Sequence, residues 1–157
     1  MPLIMSSHEP PPSSALVADA ERRCAEAGQR LTEPRRRVLE LLLEAGRPVK
    51  AYDLMRQFAP GRRTAKPPTI YRALDFLQSI DVVHPVLTLS AFVACRLGER
   101  LHIPAFLVCD ACGGVEEFDL KPERRFPLPP CDSFKAERFV FEARGLCVKC
   151  STVDGGS

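Results

Sequence analysis

The sequence KPPTIYRALDFL at residues 66–77 determines the architecture of the first half of this chain. Pro68 is well placed to open a helix from about Thr69 to Ser79, because a proline in the first turn removes an N–H that has no helical partner there. Apolar residues recur at steps of three and four and predict a buried face; they are Ile70, Ala73, Leu74 and Leu77. The residues outside that face are Thr69, Tyr71, Arg72 and Asp75. One side of the helix is thus predicted to lie in a core, and the other to meet a partner.

Three further helices precede this one, and a hairpin follows it. Helical periodicity, together with flanking prolines and glycines, predicts helices at 15–29, from about Thr32 to Gly46, and at 51–58. Two β-prone runs around Thr88-Leu89-Ser90 predict a hairpin over 82–95. Helices followed by a two-stranded hairpin are typical of a winged helix-turn-helix domain.

The exposed side of the last helix is a candidate DNA-binding surface. In a winged helix this element enters the major groove with its N-terminal half, where we expect Thr69, Tyr71 and Arg72 to lie near bases or backbone. An arginine can bind guanine O6 and N7 together, and Lys66, in a cationic linker, is expected to contact phosphates. The alternative is that these are ordinary solvated residues.

Charge is unevenly distributed along the chain. The net charge is only +2, but residues 15–84 carry 13 Lys and Arg against 9 Asp and Glu, whereas residues 85–157 carry 9 against 10. Arg35, Arg36 and Arg37 open the second helix and are either solvated or face something negative. The asymmetry is modest and suggests an anion-binding surface in the first half.

Two CxxC pairs, Cys109/Cys112 and Cys147/Cys150, supply the four thiolates of a tetrahedral structural zinc site. The odd total of seven cysteines argues against a disulfide framework and favours reduced thiols in the cytoplasm. The start, residues 1–14, lacks the charge and apolar run of a signal peptide and is predicted to be a disordered leader because of its prolines.

A second group of metal donors lies between the hairpin and the first CxxC pair. His84, Cys95 and His102 are suited to zinc, and a carboxylate after the knuckle would complete the coordination. Glu116 and Glu117 both lie there, and because strand residues alternate between faces, only one can point at a given site. The spacing leaves that choice open. The competing interpretation is that Cys95 is a small buried hydrophobe and the histidines belong to ordinary loops.

Four segments together resemble the ferric uptake regulator family, over about residues 15–150. They are Gln29-Arg30-Leu31-Thr32, Ala51-Tyr52-Asp53-Leu54, the 66–77 stretch and Cys109-Asp110-Ala111-Cys112-Gly113. The resemblance implies a homodimeric repressor that binds operator DNA through its winged helix when zinc is replete and controls zinc-uptake genes. A histidine-rich run typical of iron and peroxide sensors is replaced here by Arg96-Leu97-Gly98-Glu99-Arg100-Leu101-His102, which favours a zinc sensor.

The resemblance also assigns residues, and it implies two zinc ions per subunit. The structural zinc maps onto the four CxxC cysteines. The regulatory zinc maps onto His84, Cys95, His102 and Glu117, so that Glu117 is favoured over Glu116. Tyr52, Tyr71 and Arg72 match DNA-contacting positions.

The predicted fold class is α+β, with a winged-helix domain at 15–95, a hinge at about 84–103, a small zinc-bound α/β dimerisation domain at 104–151 and a tail at 152–157. The family's long helix between the knuckles is not expected, because prolines interrupt Pro122 to Pro130. At most a short helix within 131–137 is predicted, so the dimer interface would depend on strands at 105–108, 115–118 and 138–143. Cys131 is expected to be an unreactive filler.

Other functions remain open at this stage. An iron or manganese sensor of the same family is the nearest alternative, and a thiol-based redox sensor would release zinc on oxidation of the CxxC pairs. A zinc hydrolase or deaminase is disfavoured because the chain has no HxE or HExxH pair. We therefore expect no enzyme activity, and as partners double-stranded operator DNA and a second copy of the chain, with no membrane and no small-molecule substrate other than zinc.

Overall fold

The computed structural model describes residues 11–59, 65–98, 102–120, 133 and 139–152. It divides into two compact units, Met1–Gly98 and Glu99–Ser157. The first unit contains α1 (Ser13–Glu26), α2 (Glu33–Ala45), α3 (Ala51–Gln57), α4 (Pro67–Ser79), β1 (Val83–Val86) and β2 (Ala91–Ala94). The second contains β3 (Ile103–Cys109), β4 (Val115–Leu120), β5 (Phe141–Gly145) and α5 (Val148–Ser151). None of the helices described combines the length and apolar character needed to cross a bilayer.

The first unit is a winged helix-turn-helix. Strands β1 and β2 pair antiparallel with Val83 opposite Ala94, and a short 3₁₀ turn, Leu87–Leu89, joins them. Ser90 closes this turn with a φ of 49° in the left-handed region. The predicted helices and hairpin are all present, and the predicted α+β class is confirmed.

Helix α1 lies two to three residues N-terminal of its predicted bounds. It begins at Ser13 rather than at residue 15, because the carbonyl of Pro12 already accepts hydrogen bonds from the amides of Ala15 (2.9 Å) and Leu16 (3.2 Å). It ends before Gly28, whose φ of +66° only glycine adopts without strain. The amide of Gln29 then donates to the carbonyl of Cys24 at 2.8 Å, which completes a Schellman motif.

The core of the first unit is built from the apolar faces of the helices and the inner side of the hairpin. The face predicted for α4 is confirmed, since Ile70, Leu74 and Leu77 have no exposed surface and Ala73 almost none. Each large side chain buried in this way contributes about 1.5–3 kcal/mol relative to leaving it in water. These α4 side chains pack with Val38, Leu39, Leu42, Leu54 and Val83. The core thereby fixes which side of α4 is left on the surface.

The described residues of the second unit form a three-stranded sheet with strand order β4-β3-β5. Strand β3 pairs antiparallel with β4 and parallel with β5, with Ala105 opposite both Phe118 and Phe141. The third strand was expected at 138–143 but occupies Phe141–Gly145, because its parallel pairing extends to Gly145 opposite Cys109. The proline-rich segment 122–130, the possible short helix within 131–137 and Cys131 lie outside the described residues, as do the leader up to residue 10 and linker residues 61–64.

Candidate metal centres and DNA interface

The two CxxC pairs lie at the same end of the second sheet. Cys109 is the last residue of β3, and its amide and carbonyl bond to Gly114 and Gly113 at 2.9 Å each, which forms the first knuckle. Gly113 has a φ of +68°, so a glycine is required at this turn. The second pair follows β5, where Cys147 precedes the single-turn helix α5 that carries Cys150. Both knuckles are thus extensions of paired strands.

The four thiols are close enough to bind one zinc ion. All four Sγ atoms lie within 4.8 Å of one another, and those of Cys112 and Cys147 are 3.9 Å apart. Zn–S bonds of about 2.3 Å place neighbouring thiolates of a tetrahedral site roughly 3.8 Å apart. The donor chemistry and the spacing therefore both fit zinc. The six cysteines in the described ranges are free thiols.

The surroundings of Cys109 and Cys150 shift the pKa values of these two thiols in opposite directions. Backbone N–H groups of Cys112 and Cys147 lower the pKa of the Cys109 thiol from 9.0 to about 6, and the Cys147 amide lies 3.3 Å from that sulfur. Neighbouring sulfurs, Cys147 first, raise the pKa of Cys150 to about 12. Amide groups aimed at a sulfur favour the thiolate, which is the form that binds metal. Cys109 is therefore prepared as a ligand by the backbone itself.

The predicted regulatory ligands of the first unit are buried next to each other in the hairpin. His84 lies on β1 and Cys95 directly after β2, and both are almost inaccessible to solvent. Their donor atoms are within 4.8 Å of each other. The hairpin ladder fixes this neighbourhood, because the Cys95 amide donates to the carbonyl of Val82 at 2.9 Å. A thiol and an imidazole placed together are typical of half of a zinc site.

The predicted regulatory ligands of the second unit also contact each other. His102 precedes β3, and its Nε2 lies 3.5 Å from Oε1 of Glu117 on β4. The His102 side chain is 1% exposed and that of Glu117 12%. Glu117 is paired with the buried Phe106, whereas Glu116 is paired with the half-exposed Leu107 and is itself exposed. Of the two carboxylates, Glu117 is the one beside the histidine.

The predicted DNA-contacting residues all lie on the surface of the first unit. On α4, Tyr71 is 48% exposed, Arg72 is exposed and Thr69 is half-buried in the first turn. Tyr52 on α3 is 65% exposed, and Lys66 immediately before α4 is exposed. The first turn of α4 contains no acidic residue, so its N-terminus presents an unopposed positive dipole to an anion. The arrangement suits a phosphate backbone with bases beside it.

The three arginines at the start of α2 face groups within the first unit. Arg35 lies over the ring of Phe76 at 3.3 Å and donates to the carbonyl of Arg30 at 2.7 Å. Arg36 pairs with Glu21, and Arg37 pairs with Glu44 at 3.7 Å. Arg36 and Arg37 thus pair with carboxylates of the chain itself, while all three arginines remain half-exposed.

Two arginines that the sequence does not mark as functional hold the chain just after Cys95. Arg96 donates to the carbonyl of Leu43 at 2.9 Å, near the C-terminus of α2. Arg23 donates to the carbonyl of Gly98 at 3.2 Å. A signal for Arg23 was present, because it follows Ala20 by three residues on the apolar face of α1, where a charged side chain is unusual.

The chain is similar to known proteins in both sequence and fold. A model of the ferric uptake regulator family matches residues 26–125. The zinc uptake regulation protein of Escherichia coli (strain K12) is 37% identical over 142 residues, which cover 88% of this chain and 83% of the relative. A solved structure of a zinc uptake regulator complexed with zinc and DNA has a TM-score of 0.77, with 33% identity over 93% of this chain and 99% of that one. The crystal structure of holo XcZur gives a TM-score of 0.72 with 35% identity, covering 90% and 99%.

Proposed function

The chain belongs to the ferric uptake regulator family, and we propose that it is a zinc-responsive transcriptional repressor that binds operator DNA as a dimer and controls zinc-uptake genes. The proposal depends chiefly on the character of the donors that the hairpin buries. A thiol and an imidazole, Cys95 and His84, lie within 4.8 Å of each other. Thiolate ligands select zinc over the harder Fe(II) and Mn(II), which favour oxygen and nitrogen donors.

We propose that each subunit binds two zinc ions, which have different roles. The four thiols of the CxxC pairs belong to one small sheet. Zinc bound to them therefore stabilises that unit but does not select between two conformations of the protein. The regulatory ligands come from both units: His84 and Cys95 from the first, His102 and Glu117 from the second. A single ion bound by all four stabilises only a conformation in which the two pairs converge. Coordination of zinc supplies the free energy that stabilises this conformation, and the protein limits the positions in which the two ligand pairs can meet.

The energies involved are sufficient for a switch. Shifting a two-state equilibrium from 1:99 to 99:1 requires about 5.5 kcal/mol of differential binding. Apparent zinc-site energies are on the order of 10 kcal/mol or more at neutral pH. A site completed in only one conformation therefore has enough energy to set the population of that conformation.

In the proposed DNA complex, α4 enters the major groove. Arg72 contacts a guanine edge, Tyr71 and Tyr52 contact bases or backbone, and Lys66 and Thr69 contact phosphates near the helix N-terminus. In a symmetric dimer the two α4 helices meet the same face of the duplex when their spacing is about 34 Å, or a multiple of it. The zinc-bound conformation is the one that sets this spacing. Because its proposed partner is operator DNA, the repressor is proposed to act in the cytoplasm.

The proposal is tested by a Cys95→Ser variant. Metal analysis of the purified protein is expected to give two zinc ions per wild-type subunit and one per variant subunit, with both proteins folded dimers. DNA binding is then titrated against buffered free zinc, with a sequence selected by the wild-type protein from a random library. The variant is expected to lose zinc-dependent binding. If zinc-dependent DNA binding is unchanged in Cys95→Ser, the proposed regulatory site is wrong.

The same titration separates the alternatives. Binding that responds to Fe(II) or Mn(II) at lower free concentration than to zinc would identify an iron or manganese sensor. Binding that is lost with mild peroxide, before zinc chelation has any effect, would identify a redox sensor.

A further inference from the structure

Arg23 is a buried arginine at the edge of the first unit's core. Its side chain is 8% exposed, whereas that of its neighbour Arg22 is 43% exposed. Burying a guanidinium is costly unless hydrogen bonds replace the water it loses. The Nε atom donates to Oδ2 of Asp19 at 2.7 Å, one turn earlier in α1. The remaining donors point away from α1 and connect it to other elements.

Those donors bind backbone carbonyls at both outer ends of the hairpin. Nη1 lies 3.2 Å from the carbonyl oxygen of Ile80 and 3.1 Å from that of Asp81, just before β1. Nη2 lies 3.2 Å from the carbonyl oxygen of Gly98, shortly after β2. Asp81 and Gly98 both have positive φ angles, 56° and 67°. Their unusual backbone conformations aim two of these carbonyls at the guanidinium.

The bound carbonyls are close to the proposed regulatory ligands along the chain. Asp81 is three residues before His84, and Gly98 is three residues after Cys95. Arg23 and Cys95 also line the same small cavity of about 10 Å³, together with Asp81 and Gly98. That volume is no more than a single water requires. One side chain of α1 thus binds the chain both before His84 and after Cys95.

We propose that Arg23 is a positioning residue for the regulatory zinc, which clamps the open end of the hairpin and holds His84 and Cys95 at binding distance before metal arrives. This inference rests on the proposed regulatory site. Metal ligands held in place by surrounding hydrogen bonds bind more tightly, and loss of such a supporting group costs about 10- to 100-fold in metal affinity. Arg23 supports the ligands through the backbone rather than by contacting the metal.

The test compares Arg23→Met with Arg22→Met in the full-length dimer loaded with structural zinc. Methionine keeps much of the side-chain length and removes every donor. Arg22 is a matched control, because among the described residues its ion pairs are with Asp19 and Glu26, both within α1. Regulatory zinc affinity is measured by competition with a chelator. Arg23→Met is expected to weaken it by about 10- to 100-fold, while Arg22→Met leaves it unchanged. Equal affinities in the two variants would overturn the proposal.

A second pair of variants keeps the proposal testable if Arg23→Met is unfolded. Arg23→Lys retains the positive charge but has a single ammonium group in place of the guanidinium fork. Its affinity for the regulatory zinc is expected to fall less than that of Arg23→Met and more than that of Arg22→Met. Asp19→Asn removes the carboxylate that orients the guanidinium and is expected to weaken zinc binding in the same direction. Full wild-type affinity in both variants would count against the role of Arg23.

Cobalt substitution separates a positioning role from general destabilisation. A folded Arg23 variant is expected to give the same thiolate-to-cobalt absorption as wild type at saturation, but with its midpoint at higher free cobalt. The shift in midpoint could instead parallel a loss of apo-protein stability, and an equally destabilised Arg22→Met could show the same shift. That result would assign Arg23 a role in core stability alone. If Cys95→Ser retains zinc-dependent DNA binding, the proposed function fails; if Cys95→Ser loses it while Arg23→Met does not weaken zinc, only the present inference fails.

Discussion

The Sγ atoms of Cys112 and Cys147 lie 3.9 Å apart, although 35 residues of sequence separate them. No covalent bond holds them at this distance, since both are free thiols. Four electron-rich sulfurs within 4.8 Å are mutually repulsive once ionised. A divalent cation removes that repulsion, so the folded second unit and zinc binding are expected to depend on each other.

Replacing Cys112 by serine is expected to unfold the second unit. A structural zinc site in a small domain supplies on the order of 10 kcal/mol of folding energy, more than a three-stranded sheet can lose. The change is measured by zinc content and by size-exclusion chromatography, where aggregation or loss of the dimer is expected. Ser151→Ala, a neighbouring change that removes only a hydroxyl bonded to the Val148 carbonyl, serves as control and is expected to keep its zinc. A zinc-free, folded Cys112→Ser dimer would contradict the structural role.

Glu117→Gln is expected to weaken the affinity for the regulatory zinc by at least about tenfold, because the carboxylate beside His102 is replaced by a neutral amide. Glu116→Gln provides a matched control on the same strand with the opposite orientation. Chelator competition on both variants decides between the two carboxylates. If Glu116→Gln is the variant that loses affinity, the ligand assignment is wrong.

Arg72→Ala is expected to lower affinity for the selected operator by about 1–3 kcal/mol, because a bidentate contact to guanine is lost. Arg72→Lys keeps the charge but not the planar fork, so it is expected to recover binding to random DNA without recovering operator preference. Both are measured at one fixed salt concentration, since phosphate contacts depend strongly on salt. If Arg72→Ala weakens random and selected DNA equally, Arg72 is a phosphate contact.

In zinc-free protein that stays folded, the Cys109 thiol is expected to titrate well below that of Cys150. The pKa of Cys109 is lowered from 9.0 to about 6, and that of Cys150 is raised to about 12. Because the Cys109 pKa is depressed in the folded state, its thiolate stabilises the fold above the unfolded value of 9.0, and this contribution is lost as the pH falls through about 6. Ultraviolet absorbance of the thiolate measures the step. Its absence in Cys109→Ser identifies the residue, and its persistence there would reassign it.

The four helices and the hairpin could be predicted from the sequence because their signals are local. Pro68 in the first turn of α4 and the apolar spacing from Ile70 to Leu77 depend only on helix geometry. The exact start of α1 could not be predicted in this way, because it depends on which carbonyl first accepts a hydrogen bond, here that of Pro12. The end of β5 likewise depends on its partner strand.

The ligand sets could be proposed from residue type and spacing, but their supporting contacts could not. Cysteine and histidine are scarce, so Cys95 and His102 stand out. Arginine is common, and although the place of Arg23 on the apolar face of α1 is unusual, it does not show which groups the guanidinium binds. Those groups, the carbonyls of Ile80, Asp81 and Gly98, are brought to it by folding over 57 to 75 residues of separation.

Parallel pairing of β3 with β5 places Cys109 opposite Gly145, two residues before Cys147. The described strands themselves therefore align the two knuckles, because the register of β3 with β5 sets their relative positions. We expect that residues can be added to or removed from the connection between β4 and β5 without altering the spacing of the sulfurs, provided that the connection still spans the two strand ends. A proline-rich segment in that connection is compatible with the zinc site for this reason.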